Sequence, residues 1–276
     1  MSEILRIENI SYAYPKSLRN AIDKVNFTVR KGEIIGVIGP NGSGKTTLMK
    51  SILNMVDYQG NIKFYGEEIK KIPRKELSKK LGVVAQEFTP IYDMKVSEIV
   101  EMGRTPYTNL FGDLSKEDKK YVEIAFGDLN IYHLKDRMFY SLSGGERQIV
   151  YVAKVFAQNP DLFLLDEATD HLDVGNAQHL LLKMKERVKK FGSTVIATFH
   201  DINQASAFSN RIIVMKSGKV YATGIPEIIL TKEMIKEVYN ANCEIIKDPR
   251  NGTVNVFMDL EDSSDSLFCD VLKKYS

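Results

Sequence analysis

The sequence is poor in features that would send it to several functional classes. It has two cysteines, Cys243 and Cys269, with neither metal-site spacing nor the density of a disulfide framework. A reducing compartment suits such a chain. It has almost no net charge: 38 Lys and Arg against 36 Asp and Glu leave +2, which gives no electrostatic reason to expect nucleic acid as a partner. The Lys-rich run 70–80 does not change this, because Glu67, Glu68 and Glu76 sit among the lysines, as on a solvated helix face. No stretch approaches the ~18–20 apolar residues that span a bilayer. The first ten residues lack a basic start followed by an apolar run, so no signal peptide is expected. There is no internal repeat, and the low-complexity content is one polar patch, 261–266.

What is present is enough to build a large core: 43% of 276 residues are hydrophobic. Leu5 and Ile7 alternate with polar residues, as do Val25, Phe27 and Val29, which predicts strands with one wet face around the turn residues 15–20. Four short runs are apolar throughout and read as strands buried on both faces: 34–38, 81–85, 162–165 and 194–199. Helices are expected at about 45–55, 96–102, 176–190, after Thr231, and after Gly144 as far as Asn159–Pro160. Ser115 with Asp118 has the form of a capping box opening a further helix to about Leu129. Residues 61–65 read as a short strand, 211–215 and 219–222 as a hairpin about Ser217–Gly218, and 244–246 with 253–257 as edge strands. The fold class is therefore α/β: a mainly parallel sheet, an antiparallel β layer, and an α-helical subdomain at about 96–158 inserted into the core. The expected division is 1–240 as one domain and 241–276 as an extension.

Gly39-Pro40-Asn41-Gly42-Ser43-Gly44-Lys45-Thr46 satisfies the P-loop pattern, between a buried strand and a helix. Glycines let backbone N–H groups turn inward and phosphate oxygens come close. The helix start adds free N–H groups and its positive end. Lys45 supplies a charge to the β- and γ-phosphates and Thr46 a hydroxyl to Mg2+, with Thr47 beside it. ATP with Mg2+ is the expected ligand pair. The run 162–165 ends in Asp166-Glu167, which delivers two acids to the carboxyl edge of the sheet. Asp166 is expected to hold Mg2+ and Glu167 to act as general base toward the attacking water.

Leu142-Ser143-Gly144-Gly145-Glu146-Arg147-Gln148 resembles the signature sequence of ABC ATPases. Two glycines opening a helix behind a serine can meet a phosphate. The resemblance implies that Ser143, Gly144 and Gly145 contact the γ-phosphate of ATP held by the opposite subunit of a homodimer. It further implies that Tyr14, with Tyr12 as rival, stacks on adenine. By the same resemblance Gln86 touches Mg2+ and the attacking water, Asp173 sits in the loop that crosses the dimer, and His200 contacts the γ-phosphate. The chain departs from the family pattern at Ala168, Ile149 and Lys154, none of which replaces a group expected to touch phosphate.

Residues 101–107, 114–118, 200–205, 224–227 and 234–239 are similar to stretches in ATPases of iron–siderophore, haem and cobalamin importers. That resemblance implies integral membrane permease subunits as partners, a substrate-binding protein indirectly, and a peripheral place on the cytoplasmic face of the cell membrane. Zinc/manganese importers and other importers share the remaining motifs, and an exporter subunit, which Ala168 favours, is the further alternative. A repair-type ABC ATPase would need long heptads within 46–141, a translation-type one two cassettes, and a GTPase an Asn-Lys-x-Asp guanine reader; none is present.

Overall fold

The computed structural model describes residues 2–84, 90–109, 112–170 and 172–259. Alternation builds the first layer. β1 (Glu3–Tyr12) and β2 (Ile22–Arg30) pair antiparallel, with Leu5 opposite Val29 and Ile7 opposite Phe27 on the buried face. The all-apolar run becomes β3 (Ile34–Ile38), followed by α1 (Lys45–Ile52). β4 (Gln59–Phe64) and β5 (Glu67–Glu68) then complete a four-stranded antiparallel sheet in the order β2-β1-β4-β5.

After α2 (Arg74–Lys80) comes β6 (Leu81–Val84). The helical segment follows: α3 (Val96–Glu101), a 3-10 stretch Met102–Tyr107, α4 (Lys116–Asp128) and α5 (Gly144–Gln158). Then β7 (Leu162–Leu165), α6 (Val174–Phe191), β8 (Thr194–Thr198), α7 (Ile202–Phe208), β9 (Arg211–Lys216) and β10 (Lys219–Gly224) close the main sheet. Its order is β10-β9-β3-β8-β7-β6, parallel except for the β9–β10 hairpin. This order decides the site. β3, β8 and β7 are immediate neighbours, so the residues that follow each of them meet at one carboxyl edge.

Both expected helix starts carry reciprocal caps. Ser115 accepts from the Asp118 N–H, and Ser143 from the Glu146 N–H, while each acid bonds back to its serine. The helical segment shares the core of the sheet: Val96, Ile99, Phe126, Val150 and Phe156 form one cluster with Ile38, Phe163 and Val195. Arg104 pins it. Buried with Asp118 at 2.9 Å, its guanidinium also donates to the carbonyls of Ala157 and Gln158 at the end of α5 and lies 3.7 Å from the Tyr107 ring centroid. Breaking such a pair from one side costs about 3–5 kcal/mol, because the other charge stays buried. Gly103 lets this segment touch α5; a Cβ there would run into the Lys154 carbonyl oxygen.

Three expectations need correcting. The helix expected to reach Met55 ends at Ile52, because Asn54 turns left-handed at φ 53° and the N–H groups of Asn54 and Met55 fold back on Ser51 and Lys50. The helix expected to run to Met102 stops at Glu101 and tightens into the 3-10 stretch that carries Arg104. The last two strands, β11 (Cys243–Lys247) and β12 (Val254–Met258), extend neither sheet; they pair with each other after α8 (Pro226–Ile229) and α9 (Lys232–Tyr239). Residue 85, the patch 261–266 and Cys269 lie outside the described residues.

Candidate active site

The P-loop wraps the start of α1. Gly39 at φ 151° has no room for a Cβ against the Met215 carbonyl, and Gly44 at φ 104° places the same atom 2.5 Å from the Ala21 oxygen. Only glycine fits either position without moving backbone. The Ser43 hydroxyl is buried and has no protein hydrogen-bond partner, which leaves it free for a phosphate oxygen. Lys45 bends back so that its ammonium donates to the Gly39 carbonyl at 2.8 Å. Burial lowers its pKa, opposed by Glu167, Asp166 and Asp170. The loop lines a cleft of about 220 Å³ with Tyr14, Ala21, Asn41, Gly42, Thr46, Thr47 and Glu167. Tyr14 reaches the loop through a 3.3 Å contact between its hydroxyl and that of Thr47. Tyr12 packs edge-on against Tyr14 and lines a different hollow, so Tyr14 is the aromatic beside the phosphate loop.

Asp166 and Glu167 leave β7 beside this cleft. Burial raises the pKa of Asp166, and the hydrogen bond from Thr198 opposes the rise. Glu167 has left-handed backbone at φ 53°, a conformation that costs a non-glycine residue on the order of 1 kcal/mol and needs outside support. Thr198, at the end of β8, supplies it. Its Oγ1 donates to Asp166 Oδ1 at 2.9 Å and accepts the Glu167 N–H at 2.9 Å. Nothing in the sequence pattern singled Thr198 out, since a β-branched residue inside a buried strand reads as packing.

His200 Nε2 lies 2.6 Å from Glu167 Oε1 and 3.5 Å from Asp170 Oδ2. The shorter distance is that of a direct hydrogen bond between the two groups, and so differs from two donors aimed at one ion. An oxygen-only set fits Mg2+ better: the Thr46 hydroxyl and the Asp166 carboxylate, with Asp166 Oδ2 free of the Thr198 bond. Gln86 and His171 lie outside the described residues.

The signature residues are not part of the cleft. Ser143, Gly144 and Gly145 open α5 and do not line it; a Cβ on Gly144 would meet nothing within 4 Å. Behind them the buried Gln148 donates to the Ala168 carbonyl at 3.2 Å, tying the signature helix to the turn after Glu167. Asp173 caps α6, its Oδ1 accepting the Asn176 N–H at 2.8 Å. The protomer thus presents a phosphate cradle and, separately, a helix start whose Ser143 and Gly144 are exposed.

Thr198→Val should leave the core filled while removing a donor to one carboxylate and an acceptor for the next N–H. A hydrogen bond to a charged group is worth about 1.5–3 kcal/mol. We expect kcat to drop roughly tenfold or more, with Thr198→Ser retaining most of it and the Mg2+ requirement rising in the valine variant. A magnesium titration of steady-state hydrolysis reads both.

A parallel sheet whose three central strands converge on a P-loop, two carboxylates and a histidine defines a P-loop nucleoside-triphosphatase. The ABC transporter family model matches residues 22–170. Over 250 residues the chain is 36% identical to the ferric enterobactin transport ATP-binding protein FepC of Escherichia coli K12, covering 90% of this chain and 92% of FepC. A solved ABC transporter chain assigned to the metal-chelate type, inward-facing, superposes with a TM-score of 0.81 at 28% identity, over 95% of this chain and 99% of that one. The dimeric structure of MJ0796, a bacterial ABC transporter cassette, gives 0.71 at 26% identity, over 81% and 99%. The chain belongs to the ABC transporter family, as an ATP-binding subunit that hydrolyses ATP.

Proposed function

We propose that two copies of this chain sandwich two ATP molecules, each held by one P-loop and by the signature helix of the other copy. The observation that carries this reading is the incompleteness of the single site. Its cleft of about 220 Å³ falls below the ~300–1,000 Å³ of pockets that enclose drug-sized ligands. Ser143, Gly144 and Gly145 are absent from its lining. The MJ0796 dimer supports a paired cassette in the same fold.

In this reading the loop residues Gly39, Asn41, Gly42, Ser43, Gly44, Lys45, Thr46 and Thr47 hold the phosphates, and Tyr14 stacks on adenine. Ser143, Gly144 and Gly145 clamp the partner's γ-phosphate, and Asp173 sits at the crossing. Thr46, Asp166 and Gln86 would hold Mg2+, which supplies charge neutralisation on the phosphoryl group. Glu167 takes a proton from the attacking water, and His200 donates to the γ-phosphate. In the free protomer the hydrogen bond between Glu167 and His200 ties the base up; a bound γ-phosphate offers His200 another acceptor and frees Glu167. ATP favours the closed dimer because it binds that state better, and loss of the γ-phosphate reopens it.

The same reading places the subunit on the cytoplasmic face of a membrane, bound to permease subunits and indirectly served by a substrate-binding protein. Among the described residues no helix is long and apolar enough to cross a membrane. The cargo is an iron–siderophore, haem or cobalamin-type metal chelate, supported by the likeness to FepC and to a metal-chelate type transporter. Because two chains make each site, the initial hydrolysis rate of dilute protein should scale with about the second power of its concentration. A first-power dependence down to nanomolar protein would contradict the sandwich.

A further inference from the structure

The C-terminal hairpin has no place in the reaction described so far, yet it is bonded to the element that carries His200. The outer edge of β12, which a lone hairpin would leave unpaired, is met by side chains of α7. The Val256 N–H donates to Asn203 Oδ1 at 2.7 Å, and Asn203 Nδ2 donates to the Val256 carbonyl at 3.1 Å. One turn further along α7, Ser206 Oγ donates to the Val254 carbonyl at 2.6 Å. Asn203 and Ser206 are three residues apart and so share a helix face. Val254 and Val256 are buried in one cluster with Phe199, Ile202, Ala205 and Phe208. The hairpin is thus bonded to α7 and buried in the same core as Phe199, the residue before His200.

Between His200 and this anchor there is almost no slack. Asp201 caps α7, its Oδ1 accepting the N–H groups of Asn203 at 2.7 Å and Gln204 at 3.2 Å. On the other side, Phe199 N–H is fixed to the Val37 carbonyl of β3. His200 itself is exposed on its ring side. Its imidazole tip meets Glu167 and Asp170, while its backbone takes its place from Phe199 on one side and from the seat of α7 on the other, and β12 is part of that seat.

We propose that residues 243–258 act as a strut that sets the position of His200 against Glu167, with Asn203 as the positioning residue. This rests on His200 acting in hydrolysis as described above. Asn203 touches no reacting atom. Its amide replaces a missing β-strand partner, and the gain is a histidine that cannot drift as the site opens and closes. A displacement of about 1 Å at a reacting group costs as much as a hundredfold in rate.

The test compares the whole chain with Asn203→Leu, Asn203→Asp, Ser206→Ala and His200→Ala. We expect Asn203→Leu to lower kcat about tenfold with an unchanged KM for ATP. Asn203→Asp, which keeps the acceptor for the Val256 N–H, should recover part of the loss, and Ser206→Ala should show a smaller fall in the same direction. In carbon–proton spectra of the histidine rings, the His200 signal should move in Asn203→Leu while those of His133 and His179 stay. In the His200→Ala background, Asn203→Leu should lower the residual rate no further. If His200→Ala hydrolyses ATP as wild type, the role given to His200 fails and the strut falls with it. If His200→Ala is impaired but Asn203→Leu keeps its kcat and its His200 signal, the strut alone is overturned. An equal loss from Asn203→Leu in both backgrounds overturns it too.

Discussion

Glu167→Gln is expected to bind ATP with wild-type affinity, to turn it over about a thousandfold more slowly, and to elute as a dimer when ATP is present. The geometry gives the reason for each part. Glu167 lines the cleft, but the phosphate cradle is built from backbone N–H groups and Lys45, so the amide removes nothing that holds the nucleotide. The substitution is isosteric, and the Thr198 bond to the backbone N–H remains, so the left-handed turn at residue 167 survives. What is lost is a base: a neutral amide takes no proton from water. With hydrolysis blocked, the γ-phosphate stays as the bridge between two protomers and the closed state accumulates. Full-rate hydrolysis by this variant would remove Glu167 from the role of base. A monomer at saturating ATP would remove the bridge.

The second large effect is recovery by mixing. Lys45→Ala should lose nucleotide binding, because the cradle loses its buried cation. Ser143→Arg should bind ATP normally yet hydrolyse almost none, because Ser143 lies outside its own protomer's cleft. The cap of α5 weakens in that variant by about 1 kcal/mol, which leaves the fold standing. Each variant alone forms two damaged sites. An equimolar mixture forms mixed dimers in which one site carries both lesions and the other carries neither. Half the dimers would then have one good site of two, so activity should rise from near zero to about one quarter of wild type. Mixing that restores nothing would mean that each protomer completes its own site.

Much of this was legible in the chain itself, for identifiable reasons. The runs that became β3 and β7 are apolar at every position because both faces are buried, so their ends read off to the residue. Ser115 with Asp118 announces a helix start by a reciprocal bond that spans three residues and needs no tertiary context, and the structure shows the same bond between Ser143 and Glu146. The failures have the opposite character. Met55 looked like part of α1, but a left-handed Asn54 ended the helix and left that methionine exposed. Thr198 hides because its hydroxyl acts across to the neighbouring strand, on residues 32 and 31 positions away. Asn203 and Val256 are 53 residues apart and meet through a side-chain amide, which no periodicity records. The stretches at 101–107 and 114–118 looked like separate marks of a subfamily. Arg104 and Asp118 make them one buried ion pair, so their kinship has a structural basis.

In the closed dimer two chains hold each γ-phosphate in common. The direct measurement is the structure of Glu167→Gln crystallised with ATP and magnesium, and within it the separation between Ser143 Oγ of one copy and the γ-phosphate seated in the other. Hydrogen-bond contact, about 2.5–3.2 Å, is the predicted result. A filled P-loop with every signature helix facing solvent would contradict it.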